Sequence, residues 1–161
     1  MTLGLGILTI PIPLEYLNGA IILISTVPAA VGMFGWMYAI GIGLQRRLPE
    51  SLQSPQTTFR IHFAYVFFCI ALIGLIMLFR EELNRNQSLS AVVVLLILYY
   101  FVAAFVVMRF AAKSLASLEL QRIAAAADYA GYMMLMWLFP VGVWFIQPKL
   151  NRIVDQNVTA A

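Results

Sequence analysis

The stretch that decides the fold is LSAVVVLLILYYFVAAFVVM, residues 89–108, which carries no charged side chain. A transmembrane α-helix needs about 20 consecutive apolar residues to cross the hydrocarbon core of a bilayer, and this stretch has that length. Its apolar residues run on without the alternation that a barrel strand shows. The stretch therefore predicts a membrane-spanning helix.

The composition of the whole chain agrees with this prediction. Of its 161 residues, 63% are hydrophobic and 11% are charged, whereas soluble domains carry about a quarter of charged residues. The mean hydropathy is +0.91. A chain of this size has too little interior to hide so much apolar surface from water. We therefore expect an integral membrane protein that contacts membrane lipid.

Further apolar stretches precede and follow residues 89–108 in the sequence, and each is bounded by charged or turn-forming residues. We predict spans at about 20–44, 62–79, 89–108 and 129–146. The expected fold class is all-α, a four-helix transmembrane bundle in a single domain. The linker at about 113–127 is expected to lie on the membrane surface; the alternative is that it continues the adjoining helices.

The N-terminal segment MTLGLGILTIPIPLEYLNGA is apolar but lacks the basic region of a signal peptide. Pro11 and Pro13 prevent a continuous helix through it. We expect a short non-spanning lead-in, with Glu15 and Asn18 near the lipid headgroups. A cleaved signal peptide is the alternative.

The basic residues of the loops predict the orientation. With the N-terminus outside, six of them lie inside: Arg46, Arg47, Arg60, Arg109, Lys113 and Arg122. Four lie outside: Arg80, Arg85, Lys149 and Arg152. Because cytoplasmic loops carry an excess of Lys and Arg, we expect both termini outside.

The remaining global features exclude several classes of function. The net charge of +3 comes from Lys and Arg spread through short loops, so we expect no nucleic-acid partner. Cys69 is the single cysteine and no Cys/His cluster exists in the sequence. We therefore predict no metal site and no cofactor, and we expect no enzymatic activity.

Small residues form a stripe on the first predicted span. Gly35, Ala39 and Gly43 are spaced by four residues and therefore lie on one helix face. Such faces allow two membrane helices to approach closely. The stripe packs either against a helix of the same chain or against a neighbouring chain.

The last apolar stretch has an unusual composition for a membrane helix. Trp137 and Trp144 lie seven residues apart on one face, with Pro140 and Gly142 between them and Gln147 at the end. One interpretation is a kinked helix with interfacial tryptophans. The other is a bent helix whose exposed carbonyl and glutamine side chain line a cleft or dock another subunit.

Two polar groups of residues are further candidates. His62, Tyr65, Tyr99 and Tyr100 lie within the second and third spans and could form a small polar pocket; the alternative is single interhelical hydrogen bonds. A charge cluster is predicted at the inside face, with Asp128 either capping the fourth helix or pairing with a nearby arginine. Its members are Arg109, Glu119, Arg122 and Asp128.

The tail DYAGYMMLMWLFPVGVWFIQPKLNRI resembles that of a group of small bacterial four-span inner-membrane proteins with no assigned activity. The segments GWMYAIGIGLQRRLPE and LELQ are also similar to that group. Leu138 departs from the pattern, where a second aromatic residue is expected. The resemblance implies a bacterial inner-membrane four-helix protein and implies no chemistry. In such a membrane, the orientation predicted from the loop charges places both termini in the periplasm. The matching tail positions are Asp128, Tyr129, Trp137, Pro140, Gly142, Trp144, Ile146, Gln147, Pro148 and Asn151.

These observations favour an accessory, scaffold or partner-binding subunit of a membrane complex, bound to other membrane subunits or to itself. The first alternative is a homo-oligomeric channel or small-molecule transporter, with tyrosines and freed backbone lining the pore. The second is a membrane enzyme or cofactor-binding protein that uses His62.

Overall fold

A computed structural model describes residues 14–78 and 85–159, and it is all-helical over these ranges. Most of the predicted N-terminal lead-in, including Pro11 and Pro13, lies outside the described residues. The elements are α1 (Leu14–Gln45), a 3₁₀ turn (Glu50–Leu52), α2 (Gln56–Leu78), α3 (Gln87–Leu120), α4 (Ala126–Trp137) and α5 (Phe139–Thr159).

Helix α3 is the centre of the fold, because α1, α2 and α4 all pack against it. Its first half is apolar and largely exposed, as at Leu95 and Leu98. Its last third is enclosed by protein, and Ala111, Ala112 and Leu115 are fully buried. The apolar surface of the first half is suited to lipid, whereas the last third forms the core.

Aromatic rings join the first three helices. Phe59 of α2 stacks on Phe110 of α3 with ring centroids 4.4 Å apart, and Tyr38 of α1 lies 4.5 Å from Phe63. Gly41 of α1 faces this cluster, since a Cβ there would lie 3.2 Å from both Phe59 and Phe110. The glycine therefore lets α1 approach the rings closely.

A buried glutamine ties the end of α1 to the rest of the core. The Gln45 amide nitrogen donates to the Ser114 hydroxyl of α3 (2.8 Å), and its oxygen accepts from the Ser54 backbone N–H (2.9 Å). The Ser114 hydroxyl donates to the Phe110 carbonyl (2.8 Å). Because a buried polar group without a partner is costly, this network fixes where the loop after α1 enters α2.

Among the described residues, three helices are long and apolar enough to cross a membrane: Ile24–Gln45 of α1, Gln56–Ile73 of α2 and the whole of α3. The predicted fourth span at 129–146 is not confirmed, because the chain breaks at Leu138 into α4 and α5. The 12 residues of α4 extend about 18 Å, whereas the hydrocarbon core is about 30 Å thick.

The break has a local cause. Pro140 is the second residue of α5, a position in the first helical turn where a missing N–H costs nothing. Gly142 is buried, and a Cβ added to it would lie 1.9 Å from the carbonyl oxygen of Leu135 in α4. Only glycine permits this approach of the two backbones. The sequence Pro-Val-Gly thus starts a new helix that folds back over α4.

The hairpin brings the second half of α5 back to the end of the molecule where α3 ends and α4 begins. Lys149 Nζ of α5 lies 2.7 Å from Glu119 Oε1 at the end of α3, and both side chains contact the Tyr132 hydroxyl of α4. The expectation that Glu119 and Lys149 lie on opposite membrane faces is therefore wrong. It assumed one straight helix between them, and the turn at Leu138 reverses the chain.

The linker also differs from the expected surface segment. Residues 113–120 belong to α3, and Leu115 and Leu118 are buried against protein. The helix ends at Leu120, and the C-cap residue Gln121 has a left-handed backbone conformation (φ 50°). Only a short loop then separates α3 from α4. Most of the predicted linker therefore continues the third helix, as the alternative prediction stated.

Replacement of Gly142 by alanine should destabilise the hairpin. The Cβ would collide with backbone, which cannot rotate away as a side chain can, so the helices must separate. We expect the free energy of unfolding in detergent to fall by about 3 kcal/mol or more. Equilibrium unfolding followed by circular dichroism measures this.

Gly131→Ala in α4 is the matched control, because no heavy atom of the described residues lies within 4 Å of its Cβ position, apart from the adjacent backbone of α4 itself. Alanine there should stabilise the helix by about 0.5–1 kcal/mol. Equal effects of the two substitutions would contradict the close contact at Gly142.

Candidate functional site

A cleft of about 280 Å³ lies between α1 and α5. It opens beside the small-residue stripe of α1, so that Ala39 and Gly43 form part of its floor. Its lining residues are Trp36, Ala39, Ile40, Gly43, Leu44, Arg47, Gln147, Leu150 and Asn151. The structure thus brings two of the predicted interface elements together, the stripe and Gln147.

A chain of hydrogen bonds follows one side of the cleft. The Trp36 indole N–H donates to the Gln147 side-chain oxygen (3.1 Å), and the Gln147 amide nitrogen donates to the Asn151 side-chain oxygen (3.2 Å). The Trp36 ring also meets the Phe139 ring edge-on at 5.8 Å. These contacts hold α5 beside α1 and orient both amides at the cleft.

The small-residue stripe is open. Apart from the adjacent backbone of α1 itself, no heavy atom of the described residues lies within 4 Å of the position that a Cβ would take at Gly35 or at Gly43, and Ala39 is exposed. Within the described ranges, α5 borders this face at the cleft beside Ala39 and Gly43 but does not fill it. The interpretation in which the stripe packs against a neighbouring chain is therefore compatible with the structure.

Arg47 gives the cleft a positive end. It follows the last residue of α1 by two positions and is exposed. Among the residues that the structure describes, no carboxylate pairs with its guanidinium, and no acidic side chain lines the cleft. The cleft therefore combines one cation and two amides with an apolar floor.

The other residues of the last stretch take different roles. Trp137 and Trp144 point outward and are 64% and 82% exposed. Leu138 and Phe145 are exposed on the same hairpin. Pro140 is exposed as well, at the start of α5. The hairpin therefore presents an aromatic outer surface of the kind that is enriched at membrane interfaces.

The predicted polar pocket is only partly assembled. The Tyr99 hydroxyl lies 3.2 Å from His62 Nε2, and the Tyr65 hydroxyl donates to the Leu96 carbonyl (2.9 Å). Since His62 Nδ1 lies 2.7 Å from the Thr58 carbonyl, Nδ1 carries the proton and Nε2 accepts from Tyr99.

Tyr100 is separate from these three side chains. Its ring meets Phe34 of α1 edge-on at 6.3 Å. The side chains of His62, Tyr65 and Tyr99 therefore make interhelical hydrogen bonds between α2 and α3. Tyr100 packs on another side of α3, against α1.

The predicted charge cluster divides into separate pairs. Arg122 bridges Asp128 (2.9 Å), and Arg109 donates to the Tyr129 hydroxyl (3.1 Å). Glu119 pairs with Lys149, which the sequence assigned to the other face. Partly exposed pairs contribute about 0–1 kcal/mol each, so they mark how the helices meet more than they stabilise them.

Of the two roles predicted for Asp128, the structure shows the pairing with an arginine, whereas the N-cap of α4 is Ala125. Asp128 is the third residue of α4 and not the N-cap; its carboxylate accepts from the Ala125 backbone N–H (2.8 Å) while it pairs with Arg122. The hydrogen bond from Ala125 and that from Arg122 lower the pKa of Asp128 below its ordinary value.

Several residues of the site were not predicted from the sequence. Trp36, Arg47 and Asn151 line the cleft, and Tyr132 and Lys149 join α4 and α5 to α3. One signal was available, because Gln147 and Asn151 are four residues apart and so share a helix face. The pairing of that face with α1 depends on the hairpin.

Comparisons with known proteins add no assignment. No family model, curated protein or solved structure matches the chain. Within the described ranges, no group of three or more His, Cys, Asp or Glu side chains is placed to hold a metal ion.

The ion pair of Asp128 predicts a pH dependence of stability. A carboxylate whose pKa is lower in the folded state stabilises the fold above its unfolded pKa of 3.8, and this contribution is lost as the pH falls through the folded value. We expect Asp128→Asn to lower the melting temperature at pH 7, with a difference from wild type that shrinks below about pH 4. Thermal unfolding between pH 7 and pH 3 checks this.

Arg122→Gln should show a smaller effect, since the hydrogen bond from Ala125 remains. A difference between wild type and Asp128→Asn that is constant over the pH range would contradict this role.

Proposed function

We propose that this protein is an accessory, partner-binding subunit of a membrane complex, which docks a transmembrane helix on the stripe of α1. The observation that carries the proposal is the open space above Gly35 and Gly43. Helices associate in lipid through close backbone contact at small residues, because lipid supplies no hydrophobic drive. A helix of another subunit, or of a second copy, gains that contact here.

The position of the stripe supports this role. It lies on α1, which also carries the buried face that packs on α3 through Phe34, Met37 and Ile40. A partner on the opposite, open face can therefore bind without displacing the core. The resemblance of the tail to small bacterial four-span proteins favours an inner membrane as the location.

We further propose that the chain crosses the membrane three times and that α4 and α5 enter it as a hairpin without crossing. The support is the contact of Lys149 with Glu119, which returns α5 to the end where α3 leaves. The exposed aromatic residues around Trp137 suit lipid contact. In this topology the two termini lie on opposite sides.

Leucine at both Gly35 and Gly43 should abolish partner binding and leave the monomer folded. Each side chain would enter open space in the isolated chain but would hold a docked helix away from α1. We expect native mass spectrometry of protein extracted from its own membranes to lose the bound subunit or second copy, with at least about a tenfold loss of complex.

Gly131→Leu is the matched control, since it fills equally open space on α4. It should retain the complex. A wild-type protein that is monomeric in the membrane, shown by cross-linking before extraction, would overturn the docking proposal.

Single-cysteine labelling tests the topology. In a Cys69→Ser background, cysteines at Ser51, Ala125 and Arg152 should react with an impermeant maleimide from one side, and a cysteine at Gln87 from the other. All four positions are exposed. Labelling of position 152 together with position 87 would instead show that the last stretch crosses the membrane.

A further inference from the structure

The cleft between α1 and α5 extends from headgroup depth into the membrane. Arg47 follows the candidate span Ile24–Gln45 directly, and basic residues that flank a span lie among the lipid headgroups. Trp36, at the other end of the lining, precedes Arg47 by 11 positions on the sequence, which corresponds to about 16 Å along a helix. The cleft thus runs along the direction in which a lipid molecule lies.

The chemistry of the lining changes along the same direction. The Arg47 guanidinium lies at the headgroup end, and the amides of Asn151 and Gln147 follow one side of the cleft as far as the Trp36 indole. Ala39 and Ile40 line the floor of the deeper part. A ligand that fits must therefore carry a polar group at the Arg47 end and place an apolar part against this floor.

The sign of the charge selects among amphipathic ligands. The guanidinium has no carboxylate partner among the described residues, so its charge is available to a ligand. Arginine binds phosphate through two parallel N–H donors. A zwitterionic lipid would also bring an ammonium group, for which the described lining offers no acidic side chain.

We propose that the cleft binds an anionic phospholipid. The phosphate pairs with Arg47, the amides of Asn151 and Gln147 hydrogen-bond oxygens of the headgroup, and an acyl chain lies along Ala39 and Gly43. A volume of about 280 Å³ equals that of about nine water molecules. It holds the phosphate and the start of one chain, while the rest of the lipid lies on the outer surface.

This inference does not rest on the proposed docking of a partner helix. A partner helix on the stripe and the acyl chain of the lipid would both contact Ala39 and Gly43, whereas the phosphate site at Arg47 lies about one turn beyond the stripe. The lipid site is measured on the isolated protein, and the docking of a partner is measured on the complex. The failure of either proposal leaves the other standing.

The test is lipid binding by the delipidated full-length protein in detergent, followed by native mass spectrometry. The probes are phosphatidylglycerol and phosphatidylethanolamine with identical acyl chains. We expect preferential retention of one phosphatidylglycerol, and about a tenfold loss of that preference in Arg47→Gln, because a charge-assisted hydrogen bond is removed. Equal retention of the two lipids by the wild-type protein would overturn the proposal.

Arg46→Gln is the matched control. Arg46 is the adjacent, exposed cation with the same nominal charge, but it does not line the cleft. It should retain the preference. Equal losses in the two variants would show general attraction to the surface and would overturn the proposal.

A second readout reports the acyl chain. In Trp137→Phe/Trp144→Phe, which removes two exposed tryptophans, Trp36 is the remaining tryptophan, and its fluorescence is measured. Phosphatidylglycerol brominated on its acyl chain should quench it, and Arg47→Gln should weaken the quenching. Displacement of the lipid by equimolar glycerol phosphate would show a site for free phosphate esters and would contradict binding of the lipid.

Discussion

The approach of the α5 backbone to that of α4 at Gly142 is the constraint on which the second half of the structure depends. A Cβ at this position would lie 1.9 Å from the Leu135 carbonyl oxygen, so the hairpin exists only because the residue has none. Pro140 lies in the first turn of α5, where its missing backbone N–H costs little free energy. The direction of α5 follows from this contact, and with it the meeting of Lys149 with Glu119.

The same constraint creates the candidate site. Because α5 returns toward the end of α3, Gln147 reaches the Trp36 indole and Asn151 lies near Arg47 at the end of α1. A straight fourth helix would have placed Lys149 and Asn151 at the other end of the bundle. The cleft is therefore a product of the turn at Leu138. Because Ala39 has a small side chain and Gly43 has none, space remains between α1 and α5 that larger residues would fill.

The sequence was sufficient for the features that depend on composition and local chemistry. The long apolar run in α3, the small-residue face of α1 and the acidic first turn of α4 all follow from residue type and spacing. The hairpin could not be predicted in this way. Pro140 and Gly142 are equally compatible with a kinked helix. The close approach of Gly142 to Leu135, seven residues earlier, depends on tertiary packing. The error at Lys149 had the same origin, since charge counting assumes that every apolar stretch crosses the membrane.

Four of the described glycines separate into two classes, and the difference bears on function. A glycine inside a helix costs about 0.5–1 kcal/mol relative to alanine. At Gly41 and Gly142 close contacts with aromatic rings or backbone offset that cost within the chain. At Gly35 and Gly43 the described residues offer no such contact. Gly131 on α4 is equally open, so openness alone does not mark a binding face. On α1 the open glycines share one face with Ala39 and adjoin the cationic cleft, and this combination supports the proposed partner helix and the proposed lipid.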